Sequence, residues 1–95
     1  MESITLNIRY DMPTDMWDKL SQVYESLPGW RGYILDGCPV WASLTEPERS
    51  ISASVEPSGL LIDGDMPEKE FDAWISTFMQ EASKALGFQV KDAEQ

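Results

Sequence analysis

From Ser50 to Glu56 the chain alternates without a break, with Ile51, Ala53 and Val55 on one side and Ser50, Ser52, Ser54 and Glu56 on the other. Period-two alternation of this kind belongs to a strand with one face buried and one face in water. A sheet built around it turns its serine face outward and needs cover on the other. Two stretches can supply that cover. Trp17, Leu20, Val23, Tyr24 and Leu27 recur at three- and four-residue steps, as do Phe71, Trp74, Ile75, Phe78, Ala82 and Leu86. Each set forms the apolar stripe of an amphipathic helix.

The remaining elements fall between these landmarks. Ile4 to Tyr10 alternates Ile4, Leu6, Ile8 and Tyr10 against Thr5, Asn7 and Arg9, which predicts a strand. Pro13 suits the first turn of the helix that follows, with Asp11 or Thr14 as its cap and Asp15 and Asp18 favourably placed at its positive end. Leu27-Pro28-Gly29 ends that helix. Tyr33-Ile34-Leu35 and Val40-Trp41-Ala42, joined through Asp36-Gly37, read as a hairpin, because Asp-Gly tolerates the positive φ of tight turns. Thr45 to Arg49 is a polar connection, Pro57-Ser58-Gly59 a second turn, and Leu60-Leu61-Ile62 a short strand. Asp65 and Glu68 form a variant capping box for the second helix, and Gly87 is its C-cap. Phe88-Gln89-Val90 reads as a last strand and Lys91 to Gln95 as a fraying tail. Asp-Met-Pro precedes both helices, a repetition that duplication explains no better than the preference of helix starts for Asp and Pro. The order β-α-β-β-β-β-α-β predicts a single α+β domain over 1–95, with two helices on one face of a mostly antiparallel sheet.

Charge narrows the function. Seventeen Asp and Glu stand against seven Lys and Arg, giving a formal net charge of −10 with no histidine. Such a surface repels phosphate backbones and anionic membranes and speeds encounter with basic partners. The 42% hydrophobic content sets the chain apart from a disordered acidic tail. Without histidine no side chain ordinarily titrates near neutral pH, and the serines lack a base. Gly29-Trp30-Arg31-Gly32 has no Lys-Ser/Thr after it, so it is not a phosphate loop. Asp63, Asp65, Glu68, Glu70 and Asp72 are dense, yet the spacing fails as a calcium loop. Pro67 stands at the third ligand, Lys69 at the glycine and Trp74 at the bidentate acid. No catalytic residue, metal or cofactor is expected. The single cysteine, Cys38, allows no internal disulfide and has no neighbour to activate it. The first residues lack the pattern of a signal peptide, and the apolar runs fall short of a membrane span; a cytoplasmic setting is the expectation.

The residues left for binding are aromatic and acidic. Trp17 and Trp74 belong to helix stripes, whereas Trp30 and Trp41 lie in the β region, where either can stand exposed as an interface anchor. Asp36, Glu46, Glu48, Glu56 and Asp63 fall on turns or on the outward strand face, where together they make a negative rim.

Ser54-Val55-Glu56-Pro57-Ser58-Gly59-Leu60, the acidic-to-apolar second helix and the closing Gly87-Phe88-Gln89-Val90 resemble small bacterial immunity proteins, over about residues 30 to 92. These are the antidotes of contact-dependent growth inhibition and related polymorphic toxins. The resemblance implies a non-enzymatic toxin inhibitor that binds one basic toxin domain, a nuclease foremost; it carries over no inhibitory residue. Two other classes stay open: an acidic nucleic-acid mimic or adaptor that binds a basic host protein, and a small enzyme or ligand-binding domain, which needs a cleft with convergent polar groups.

Overall fold

The computed structural model describes residues 2–94. The elements run β1 (Glu2–Leu6), α1 (Thr14–Ser26), β2 (Trp30–Leu35), β3 (Cys38–Ala42), β4 (Ser50–Glu56), β5 (Gly59–Gly64) and α2 (Glu68–Leu86). All neighbouring strands pair antiparallel, in the order β1-β5-β4-β3-β2. The fold is therefore α+β, with the helices packed on the sheet. No helix among the described residues is long and apolar enough to cross a membrane.

The register sorts side chains onto two faces. Trp41 lies opposite Ile51 and Ile51 opposite Gly64, while Ala53, Ile62 and Ile4 form the next row. These rows meet Leu20, Val23 and Tyr24 of α1 and Phe71, Trp74, Ile75, Phe78, Ala82 and Leu86 of α2 in one core. On the other face Val40, Ser52, Asp63 and Ser3 line up, followed by Ser54, Leu61 and Thr5. The serines of β4 thus lie on the face away from the helices. Val55, expected in the core row, is 50% exposed: it sits at the end of β4 and shares a shallow depression with Tyr10 rather than meeting a helix.

Several local expectations change. The first strand stops at Leu6, whose partner Leu60 is the second residue of β5. Ile8 is nevertheless buried, while Tyr10 is exposed. Phe88–Val90 forms no strand. The hydrogen bonds come one step later, from Asn7 N to Lys91 O at 2.9 Å and from Ala93 N to Thr5 O at 2.8 Å, with a bridge between Leu6 and Asp92. The segment expected to fray therefore covers the β1 edge as far as Ala93; Gln95 lies outside the described residues. Neither helix has a side-chain N-cap. Pro13 and Pro67 occupy those positions, and Asp65 accepts instead from the Ser50 N–H at 2.9 Å, so its capping box does not form. Gly87 closes α2 as anticipated, at φ 80°.

Trp41 is fully buried, and its Nε1 donates to the Tyr24 carbonyl at 2.8 Å. Beside it Gly29 adopts φ +88°, and a Cβ there would meet the Ala42 carbonyl oxygen. Trp41→Phe removes both the donor and part of the packing, and is expected to cost about 2–4 kcal/mol. Urea unfolding checks this through a lowered midpoint at unchanged slope; an unmoved midpoint contradicts it.

Candidate functional site

The sheet has two poles, and the one formed by the β3–β4 loop and the start of α2 is the more organised. Its centre is Ser43, the one buried polar side chain among the described residues. Ser43 Oγ accepts the N–H groups of Thr45 (3.2 Å) and Glu46 (3.0 Å), closing a local turn. It donates in turn to Glu70 Oε1 at 2.7 Å. Glu70 also accepts from Leu44 N and from Thr45 Oγ1, each at 2.8 Å. One carboxylate on the first turn of α2 thereby holds three consecutive residues of the loop. Arg49 closes the loop's other end, with its Nε 3.5 Å from Glu46 Oε1 and its Nη1 3.0 Å from the Asp65 carbonyl. Ser43 N donates to Arg49 O and Arg49 N to Glu46 O.

The clamp borders a cavity of about 180 Å3 between α2 and the end of β3. Pro28, Ala42, Leu44, Met66, Ala73 and Trp74 supply its apolar walls, with Glu70 and Thr77 among them. The α2 residues recur at i, i+3, i+4 and i+7, so they share one helix face. Leu44 is 68% exposed, although its backbone is fixed by Glu70. Trp74 is only 8% exposed, and its Nε1 is buried with no acceptor among the described residues. A larger groove of about 380 Å3 runs between α2 and the C-terminal segment, but its Ser83 hydroxyl is already bonded to Met79 O and Val90 N.

The residues singled out from the sequence are divided by the fold. Glu46 and Glu48 lie on the clamped loop, and Asp63 is on the open face, in register with Ser52 and Ser3. Asp36, at φ 51° in the β2–β3 turn, and Glu56, at the end of β4, occupy the opposite pole. The length of a seven-residue strand, roughly 20 Å, separates the two groups. The acidic rim is thus two patches. Trp41 is a correction: its 0% exposure and its hydrogen bond to Tyr24 make it a core residue and no surface anchor. Trp30 is half-buried, packed 5.5 Å from the Trp41 ring and 5.2 Å from that of Tyr33.

Leu44, Met66 and Trp74 as cavity walls, and Glu70 as the clamp, were not anticipated. One signal was available. Ser43-Leu44-Thr45-Glu46 has the Ser-x-x-Glu form that marks a helix start, and its serine makes the bonds of such a cap on a turn that never becomes a helix. Tyr33, Ile34 and Leu35 form a further exposed apolar group, on the edge strand β2. Among the described residues no group of three or more His, Cys, Asp and Glu is placed to hold a metal ion.

Hydrogen bonding from Ser43 first, supported by Thr45 and Leu44 and opposed by desolvation, holds the Glu70 carboxyl below its ordinary range. A lowered folded pKa stabilises the protein fully above the pKa of the unfolded carboxyl. That contribution is lost as pH falls through the folded value. The stability difference between the native chain and Glu70→Gln is therefore expected to be largest at neutral pH and to shrink as acid protonates Glu70. Paired urea titrations across the carboxyl range measure it; a pH-independent difference contradicts it.

Compared with protein-family models, with curated proteins and with solved structures, the chain matches none, so its function is argued from its own geometry and charge.

Proposed function

We propose that this chain is a non-enzymatic, cytoplasmic immunity protein that binds and neutralises a basic toxin domain, a nuclease foremost. The observation that carries the reading is uncompensated charge. Of seventeen carboxylates, only Glu46 and Glu81 meet a cation within 4 Å among the described residues, and both pairs are exposed i,i+3 contacts. Exposed pairs of that kind add little to stability. Glu70, Asp65, Glu56 and Asp92 accept hydrogen bonds within the fold. The other carboxylates have no such role among the described residues, whereas a partner rich in Lys and Arg turns their charge into steering and charge-assisted hydrogen bonds. The resemblance of the 54–60 segment and the second helix to bacterial immunity proteins points the same way.

A second reading, an acidic mimic that occupies a basic host protein, draws on the division of carboxylates between both poles. Charge spread along a molecule imitates a phosphate backbone better than one focused patch does. A pull-down of the tagged protein from its native lysate at moderate salt separates the two. One stoichiometric basic domain belongs to the antidote reading, and a set of unrelated nucleic-acid-binding proteins to the mimic.

With the captured partner in hand, association is expected to slow steeply as salt rises. Replacing Glu46 and Glu48 together by Lys is expected to slow association by about tenfold at low salt and to flatten that dependence. Stopped-flow or surface-binding kinetics at several ionic strengths measure both. A rate indifferent to salt removes the electrostatic mechanism.

A further inference from the structure

We infer that the cavity between α2 and the end of β3 is an anchor pocket for one apolar side chain of a basic partner, borne by a residue flanked by lysine or arginine. The inference rests on the basic-partner reading and names where that partner is gripped.

Size and lining come first. At about 180 Å3 the cavity exceeds the about 150 Å3 of an apolar protein cavity that admits benzene. It therefore has room for the side chain of leucine, methionine or phenylalanine, and its walls are mostly apolar. The walls are also set in advance. Glu70 fixes Ser43, Leu44 and Thr45 through hydrogen bonds of 2.7–2.8 Å, so little ordering remains to be done when a partner arrives.

Trp74 adds an independent observation. It forms part of the wall, is only 8% exposed, and its Nε1 has no acceptor among the described residues. A buried donor without a partner costs stability, and as part of the wall the Trp74 indole senses whatever fills the cavity.

Charge selects the occupant. The segments that form the walls also carry Glu46, Glu48, Glu68 and Asp72, against Arg49 and Lys69, and Arg49 is already engaged with Glu46 and the Asp65 carbonyl. An apolar anchor between cations fits this frame. A second copy of the chain does not, because each copy carries a net charge of −10 and would set carboxylates against this acidic frame.

The test uses the full 15N-labelled chain, whose four tryptophans supply separate indole N–H signals. Trp74→Phe identifies the Trp74 signal. The probes are acetyl-Lys-Lys-Leu-Lys-Lys-amide, the same peptide with glycine for leucine, and the leucine peptide with glutamates for the lysines. The lysine–leucine peptide is expected to shift the Trp74 signal saturably and to bind at least about tenfold more tightly than the glycine peptide. Ala73→Trp, at an exposed helix position that fills the cavity, is expected to abolish the preference while the Trp17 and Trp41 signals stay in place. Equal binding of the leucine and glycine peptides with Trp74 unmoved overturns the pocket and leaves the basic-partner reading standing. No binding of either lysine peptide at low salt overturns both. An equal Trp74 shift from the glutamate peptide overturns the selection for a basic partner.

Discussion

The hydrogen bond from Trp41 to the carbonyl of Tyr24 ties α1 to the sheet at the point around which the core is arranged. Near the end of α1 that carbonyl would ordinarily accept from the residue four positions on, but position 28 is proline and has no N–H. The Leu27 N–H reaches it only at 3.4 Å, and the Trp41 indole completes the pairing at 2.8 Å. One bond thus satisfies a helix end, a buried indole and the docking of α1 on β3. The Trp41 ring then organises its neighbours: Tyr24 lies 5.4 Å away, Trp30 5.5 Å and Trp74 4.7 Å, and Trp74 stacks on Phe78 at 5.4 Å. Because Trp74 is also a wall of the cavity, the site inherits its geometry from the core.

The clamp at Glu70 works in the opposite direction, from surface to fold. A loop of polar residues between two strands has no core of its own to hold it. Here one ionised carboxylate accepts from a serine hydroxyl, a threonine hydroxyl and a backbone N–H, and each bond is strengthened by its charge. The result is a rigid turn that presents Leu44 to solvent and keeps Glu46 and Glu48 beside it. In a chain of net charge −10 this carboxylate is used structurally, while most of the others lie exposed without a cation. That imbalance opposes folding through self-repulsion and favours association with positive partners. Rigidity near the cavity and uncompensated charge around it are the two properties on which the proposed binding mode depends.

Much of this was legible along the chain. Alternation in Ser50–Glu56, the stripes of both helices and the Asp-Gly turn depend on local stereochemistry and on the period of each element, so they can be read from neighbours a few residues apart. The same reasoning failed where an element's fate depends on a distant partner. Phe88–Val90 has the residues of a strand, but the backbone bonds to β1 fall on Lys91 and Ala93. Asp65 has the spacing of a helix cap, and its carboxylate serves the Ser50 N–H across the sheet instead. Val55 has the parity of a core residue, but no helix reaches it.

The candidate site shows the same division. The sequence by itself determined the α+β class, the acidity that governs which partners are attracted, and the apolar stripes that cover one face of the sheet, since each follows from composition or short-range periodicity. Only the tertiary structure decided that Trp41 is internal, that the acidic residues form two patches rather than one rim, and that Leu44, Glu70 and Trp74 meet around a cavity. Residues 44 and 74 are brought together by strand register and helix packing, long-range constraints for which no local pattern in the chain provides a record.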